Sequence, residues 1–355
     1  MSNLSVSASG GTSASSPVAP LSVAPAANNA TAANVAALLR QGRDGEATAM
    51  LTQAKQGQPP VMQEALDRMV SSQLSTSLDT PPASSLQSMH ANPVEIGNTL
   101  RQINEAGNNR PAMPDTKGLT TEQKFDVYSS IVQTRGNLAA RKALNNGDKV
   151  ILGLRNEDNS LVNKGKGLYN DRIVVLSRDP RNGTVTVEEF EHASTEPTAQ
   201  YDANTRNKTT SKNYDPKLLK EMQSSGAKAR GAKGEDVTRD GIPELGRLSE
   251  GTVEMQKATH ATPWAGTNFA LRPTSEAVTN GANRVERDSN HDGKFDGNDV
   301  RDNLNSEFKI HSGSKTNTDS AGCTTIHPAD FKRFEAAVKG NGTQQKWQYV
   351  LSAVK

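Results

Sequence analysis

The sequence predicts an α+β protein: a disordered N-terminal tail, a small helical region, and then a β-rich sandwich or barrel domain. Three observations support this fold class. The first 39 residues carry no charge and are rich in Ser, Ala, Pro and Asn. Apolar residues then recur at helical spacing as far as Leu144. From residue 149 onward, short β-branched segments alternate with Gly and Asn turns.

The N-terminal tail is predicted to be a disordered leader covering residues 1–33. It has no basic segment, and Pro17, Pro20 and Pro25 interrupt its few apolar residues, so it is not a standard secretory signal peptide. Its composition is similar to that of leaders of effectors exported by specialised bacterial secretion machines. We therefore expect secretion by effector-type export.

The helical region is predicted to cover residues 34–117. An Ala- and Leu-rich helical pair and the amphipathic stripe from Met62 to Val70 would pack as a small docking module. Proline-containing linkers are predicted at 75–92 and 108–114, with a short helix between them at 96–103.

The β-rich domain is predicted to cover residues 118–355. Thr120 and Gln123 form a capping box that begins a helix. Asn182-Gly183 is a two-residue hairpin signal between two predicted strands. Strands are predicted at 149–154, 172–176, 184–187, 251–255, 268–272, 308–311 and 347–351.

Composition limits the function classes. The chain has 41 basic and 39 acidic residues, a near balance that argues against strong nucleic-acid binding. No apolar run approaches the roughly 18 residues that a transmembrane helix needs. One cysteine excludes an intramolecular disulfide and a CxxC metal site. Hydrophobic residues make up only 33% of the chain, so part of its length is expected to lie outside a core.

Cys323 is a candidate nucleophile. A thiol needs a nearby base to form a thiolate, and the oxyanion formed on attack needs a backbone donor. His311, at the end of a predicted strand, is the candidate base, and Ser320 and Gly322 lie in the turn before the thiol. Gly322 would leave room for a substrate to approach the backbone. The alternative interpretation is that Cys323 is a small buried hydrophobe with no reactivity.

Residues 288–299 form a candidate calcium loop of the EF-hand type. Oxygen-bearing side chains occupy loop positions 1, 3, 5, 9 and 12, a glycine occupies position 6, and position 7 offers a backbone carbonyl. Aspartate at position 12, where glutamate is usual, shortens the reach of that ligand. The predicted Ca²⁺ ligands are Asp288, Asn290, Asp292, Lys294 through its carbonyl, Asp296 and Asp299.

The remaining histidines are less informative. His260 lies between predicted strands, and we interpret it as a solvated loop residue, with a place in a substrate cleft as the alternative. His327 follows Cys323 by four positions and is a weaker candidate base than His311. His291 has no partner that the sequence reveals.

The stretch from His311 to Ile326 resembles the active-site motif of the L,D-transpeptidase catalytic domain, the YkuD-like fold. That motif is a histidine, a variable loop, Ser/Thr-x-Gly-Cys and then a helix, matched here by His311, Ser320, Gly322 and Cys323. Two departures stand out: Thr325 occupies a position usually held by Arg or Asn, and the loop is shorter. This is similar to short-loop variants among phage-associated and secreted antibacterial proteins.

The resemblance implies a YkuD-like sandwich domain and a cysteine-dependent acyl-transfer activity on peptidoglycan stem peptides, as an L,D-transpeptidase or L,D-carboxypeptidase. Cys323 would be the nucleophile, His311 its base, and the backbone N–H groups of Gly322 and Cys323 the oxyanion donors. Ser320 would hold the loop or the imidazole. The protein would act in the periplasm of a target cell, with a secretion chaperone or an immunity protein as partner.

Two other function classes stay open. One is a secreted, calcium-stabilised binding or adaptor protein with an inactive enzyme-like domain. The other is a papain- or NlpC/P60-like peptidase, which the order of residues disfavours because the histidine of those families lies well downstream of the cysteine. Here only His327 follows Cys323.

Overall fold

The computed structural model describes residues 25–75, 92–202, 216–224, 230–231, 233–262, 266–340 and 342–355. Ten helices lie within these ranges, and none of them is both long and apolar enough to cross a membrane. They are α1 (Pro25–Arg40), α2 (Asp44–Lys55), α3 (Pro60–Ser75), α4 (Pro93–Asn108), α5 (Thr121–Arg135), α6 (Leu138–Asn145), α7 (Val162–Gly165), α8 (Pro216–Ser224), α9 (Ser275–Thr279) and α10 (Pro328–Lys339).

The described strands form a closed barrel and a small separate sheet, which confirms the α+β class. The barrel order is β1-β11-β5-β6-β9-β10-β3-β2, and the small sheet has the order β4-β7-β8. The strands are β1 (Val150–Arg155), β2 (Asp171–Arg178), β3 (Val185–Ser194), β4 (Gly246–Leu248), β5 (Gly251–Thr262), β6 (Gly266–Pro273), β7 (Val285–Arg287), β8 (Val300–Asp302), β9 (Ile310–Ser312), β10 (Thr324–Ile326) and β11 (Lys346–Ala353).

The first helix corrects the predicted leader. The prediction of disorder is wrong for residues 25–33, because α1 begins at Pro25. Proline is favoured in the first turn of a helix, and the Ala-rich segment after it has high helix propensity. Val35 and Leu39 of α1 are buried against Leu51 of α2 and Val70 of α3, so packing stabilises the helix. Residues 1–24 lie outside the described residues, as does most of the predicted 75–92 linker, from 76 to 91.

Helices α1 to α4 do not stand apart from the barrel. Met62 and Ala65 of α3 share a core with Phe125 and Tyr128 of α5, and α5 in turn packs on the outer side of the barrel. The capping box predicted for α5 is present, with Thr120 and Gln123 each bonded to the backbone of the other. The helical region therefore forms one continuous layer against the β1, β2 and β11 side of the barrel.

Alternation along the strands separates two cores. Ile151 of β1 points into the barrel interior, which Phe190, Met255 and Tyr349 also fill. Val150 and Leu152 point the other way, into the core shared with α5 and α6. Helices therefore cover one outer side of the barrel. The outer side formed by β5, β6, β9 and β10 holds the candidate site.

Candidate functional site

Strands β9 and β10 bring the predicted histidine and cysteine together. The two strands are parallel and pair Ile310 with Thr324 and His311 with Thr325. Ile310 belongs to the barrel core, so alternation places His311 on the opposite face of the sheet. Cys323 comes immediately before β10, and the amide of Thr324 donates to the carbonyl of Lys309 at 2.9 Å. Cys323 is therefore level with Lys309, two residues along the neighbouring strand from His311.

Ser320 holds the turn that presents the thiol. Its hydroxyl is buried, donates to the carbonyl of Cys323 at 2.6 Å and accepts from the amide of Gly322 at 3.0 Å. The predicted role of Ser320 in holding the loop therefore has a geometric basis. The amide of Gly322, one of the two expected oxyanion donors, is occupied by this bond. The amide of Cys323 has no hydrogen-bond partner among the described residues, so it is the donor that the turn leaves available.

Gly322 is required by packing, which differs from the predicted reason. Its φ is +142°, and a Cβ built there would lie 2.3 Å from the carbonyl oxygen of Gly246. Glycine therefore allows the turn to press against the start of β4, rather than leaving space for a substrate.

His311 is held in one tautomer by the backbone. Its Nδ1 lies 2.8 Å from the carbonyl oxygen of Ser312, which can only accept, so Nδ1 carries the proton and Nε2 is the basic atom. The imidazole is almost fully buried, and this desolvation, together with nearby His260 and Lys309, lowers the pKa of His311 to about 3. His311 is therefore neutral at physiological pH.

The thiol is also neutral in the free protein. Cys323 is partly buried, and its Sγ–H donates to the carbonyl of Glu307 at 3.1 Å. Desolvation raises the pKa of the Cys323 thiol to about 11, outweighing the favourable effects of the Lys309 amide and charge. Thiol and imidazole are thus both neutral, and a reaction would need proton transfer at the moment of attack rather than a preformed thiolate.

His260 is part of the site, and its interpretation as a solvated loop residue is wrong. It lies on β5, half-buried, with its ring stacked on that of His311 at a centroid distance of 3.9 Å and an angle of 9°. Desolvation, and then the charge of Lys309, lower the pKa of His260. The sequence contained no signal for this contact, because β5 and β9 are not neighbours along the chain.

A cavity of about 680 Å³ opens over the two candidate catalytic side chains. Its wall carries charges of both signs: Arg230, Lys233, Arg287, Lys309, Glu235, Glu307 and Asp319. Asp319 accepts a hydrogen bond from the Tyr201 hydroxyl at 2.6 Å and pairs with Arg230 at 2.9 Å. Sequence reasoning missed Tyr201 and Arg230, because they come from a segment more than 80 positions before His311.

The predicted calcium loop connects β7 to β8 as a hairpin, with Arg287 paired to Val300. Its carboxylates accept from the loop's own amides. Asp288 bonds to the amide of Gly293 at 3.0 Å, and Asp299 bonds to the amides of Ser289 and Asp296 at 3.0 and 2.9 Å. These bonds join the two ends of the loop and hold the predicted ligand positions in place.

The other predicted calcium ligands follow the same pattern. Asn290 accepts from the amide of Asp292 at 2.9 Å, and Asp292 from that of Lys294 at 2.8 Å. Asp296 accepts from the amide of Asn298 at 2.8 Å. Within the described residues, the loop carboxylates do not form a cluster with mutually close oxygens, so several side chains would have to rotate to coordinate an ion. Calcium binding stays a prediction.

No protein-family model, no curated protein and no solved structure matches this chain.

Proposed function

We propose that this protein is a cysteine-dependent acyl-transfer enzyme of the L,D-transpeptidase or L,D-carboxypeptidase type, acting on peptidoglycan stem peptides. The observation that supports this most is the placement of His311 and Cys323. His311 lies on β9, Cys323 directly precedes the parallel strand β10, and both line one cavity. The bond from Nδ1 of His311 to the Ser312 carbonyl leaves Nε2 as the basic atom. A nucleophile, a base and a group that orients the base are the three parts that such catalysis needs.

The proposed reaction begins when the Sγ–H proton of Cys323 passes to Nε2 of His311 as Sγ attacks the carbonyl carbon of the stem peptide. The amide of Cys323 would donate to the oxyanion that forms. The imidazolium of His311 then returns the proton to the departing amine, the C–N bond breaks, and a thioester remains on Cys323. Water completes a carboxypeptidase reaction, and a second amine completes a transpeptidase reaction.

Burial fixes the resting protonation states of His311 and Cys323. A neutral His311 accepts a proton, and the neutral thiol supplies one. The low pKa of His311 makes it a weak base in the free protein. The attack on the substrate would place a developing negative charge beside His311, and this charge would favour the imidazolium.

Substrate carboxylates would meet groups other than the Arg or Asn usual in the L,D-transpeptidase motif. Thr325 stands in that position and is fully buried. Two other arginines could supply positive charge in its place, Arg272 of β6 and Arg333 of α10, but neither lines the cavity, and Arg333 pairs with Glu188 at 3.0 Å. Lys233 and Lys309 line the cavity and would provide the positive charge, although Lys309 also pairs with Glu307 at 3.2 Å.

A binding or adaptor protein with an inactive enzyme-like domain is the second candidate. One observation favours it: the thiol of Cys323 is desolvated and bonded to the carbonyl of Glu307, as an unreactive cysteine would be. In that case the cavity would bind a ligand without catalysing a reaction on it. Effector-type export, the periplasm as destination, and a chaperone or immunity partner remain predictions that depend on the first candidate.

Measuring substrate turnover distinguishes the enzyme from the binding or adaptor protein. We expect the purified protein to release D-alanine from a disaccharide-tetrapeptide, and Cys323→Ala to release none. His311→Asn, which keeps a donor for the Ser312 carbonyl but lacks Nε2, should lose at least about 100-fold in rate. His192→Asn, which removes an exposed histidine paired with Asp330, is the matched control and should keep full activity. Turnover retained by Cys323→Ala would exclude the proposed mechanism.

A further inference from the structure

A second cluster of chemically reactive groups lies on two loops away from Cys323. Residues 235–244 form a loop closed by an antiparallel bridge between Glu235 and Glu244. Its turn residue Asp240 is exposed, and the side chain of Glu244 is fully buried. His291, from the loop between β7 and β8, packs against this loop with Nε2 3.9 Å from Oε1 of Glu244. One ligand atom from each of Asp240, Glu244 and His291 lies within 4.8 Å of the other two.

His291 is the unusual member of this cluster. Only 5% of the residue is exposed, and within the described part of the chain neither ring nitrogen has a hydrogen-bond partner. A buried polar group left without a partner destabilises the folded state. Its backbone also has a φ of +58°, which a non-glycine residue rarely adopts. A bound ion would give one nitrogen of the buried imidazole a partner.

We propose that Asp240, Glu244 and His291 bind a divalent transition-metal ion, with Zn²⁺ as the ion that fits best. One imidazole nitrogen and two carboxylate oxygens are a ligand set that Zn²⁺ accepts, with a water completing four-coordination. Imidazole favours Zn²⁺ over the hard ions Ca²⁺ and Mg²⁺, which prefer oxygen ligands alone.

The surroundings of Glu244 resemble the outer shell of a metal site. The Thr238 hydroxyl donates to Oε1 at 2.6 Å, and the Val237 amide donates to Oε2 at 2.8 Å. These bonds hold the carboxylate in one orientation, as hydrogen bonds to metal-ligating carboxylates do. Asp240 is positioned in the same way, because its Oδ1 accepts from the amide of Ile242 at 2.9 Å.

The ion would join two loops that meet at the cavity. Glu235, at one end of the first loop, and Arg287, directly before the second, both line the cavity wall. The site is distinct from the predicted calcium site, because His291 occupies loop position 4, which supplies no ligand in an EF-hand loop. Zn²⁺ would therefore stabilise the entrance of the cavity without contacting Cys323.

Calorimetric titration of the full chain, free of any affinity tag, with Zn²⁺ in the presence of excess Ca²⁺ tests this proposal. We expect one Zn²⁺ per chain. His291→Gln should weaken binding by more than the roughly 10- to 100-fold that loss of an outer-shell partner produces. Asp240→Asn changes an exposed side chain, so it should fold normally and still weaken binding at least about 10-fold.

Two controls make the result decisive. His192→Gln removes an exposed histidine elsewhere and should bind Zn²⁺ as the unmodified protein does. Cys323→Ala removes the thiol and should also leave binding unchanged. Absence of Zn²⁺ binding, unchanged affinity in Asp240→Asn, or loss of binding only in Cys323→Ala would overturn the proposal. If His291→Gln fails to fold, Asp240→Asn decides the question.

Discussion

The buried imidazole of His311 makes the stability of the protein depend on pH in a calculable way. Desolvation, His260 and Lys309 lower its pKa from 6.5 to about 3 in the folded protein. Below pH 6.5 the unfolded chain therefore takes up a proton that the folded protein does not, and this stabilises the unfolded state. The contribution of His311 is fully present above pH 6.5 and is lost as pH falls from there toward pH 3.

The size of this change in stability follows from the shift in the pKa of His311. At about 1.4 kcal/mol per pKa unit, the interval from pH 6.5 down to pH 5 corresponds to about 2 kcal/mol. Other buried groups titrate in the same range; desolvation, for example, raises the pKa of Asp171 to about 7. A difference between two variants isolates His311. His311→Asn keeps a donor for the Ser312 carbonyl and cannot titrate.

Urea unfolding of the unmodified protein and of His311→Asn, at pH 7.5 and pH 5, provides the measurement. Between these pH values the unmodified protein should lose about 2 kcal/mol more in its free energy of unfolding than His311→Asn does. His192→Asn, which removes an exposed histidine, should behave like the unmodified protein. Equal losses in the unmodified protein and His311→Asn would refute the argument, because His311 would then titrate alike in the folded and unfolded chains.

Three further predictions follow from the same geometry. With a pKa of about 11, Cys323 should react with iodoacetamide at pH 7 at least about 100-fold more slowly than a free cysteine. Its reaction rate should still rise from pH 7 to pH 9. A rate that is already constant below pH 7 would instead indicate a thiolate–imidazolium pair. Gly322→Ala should lower the free energy of unfolding by at least about 2 kcal/mol, because its Cβ would meet the carbonyl of Gly246. Gly97→Ala, in helix α4 with open space around it, is the control and should stabilise by about 0.5–1 kcal/mol. Ca²⁺ at 100 times its Kd should stabilise the protein by about 2.7 kcal/mol, and Asp288→Asn should remove that effect; a melting temperature unaffected by a chelator would count against the calcium loop.

Local patterns in the sequence predicted much of the fold. Asn182-Gly183 predicted a hairpin between β2 and β3, and that hairpin is present. The predicted two-residue loop is wrong, because the last paired residues of the strands are Arg178 and Val185, and the amide of Gly183 donates to the carbonyl of Asp179 at 2.8 Å inside a longer loop. Barrel closure could not be predicted, because β1 and β11 pair in parallel although Val150 and Gln348 are 198 positions apart. The first half of helix α1 was missed because its uncharged, Ala-rich sequence also fits a leader, whereas the predicted helical pair includes its second half, from Val35 to Leu39.

Part of the candidate site could also be predicted, because local patterns in the sequence show it. The candidate motif spans only 13 consecutive positions, from His311 through Ser320 and Gly322 to Cys323, so it can be recognised from the sequence alone. The stacking of His260 on His311 depends on how β5 and β9 come together in the barrel, and no local pattern encodes that. The low pKa of His311 likewise arises from burial by distant segments.

Intact-mass measurement after incubation with a disaccharide-tetrapeptide tests the central claim most directly. The proposal predicts an acyl adduct on the unmodified protein whose mass equals the substrate minus D-alanine, bound through Cys323. Cys323→Ala, with the same fold and cavity, should show no adduct. An unmodified mass together with no released D-alanine would contradict the acyl-transfer account and favour the binding-protein alternative.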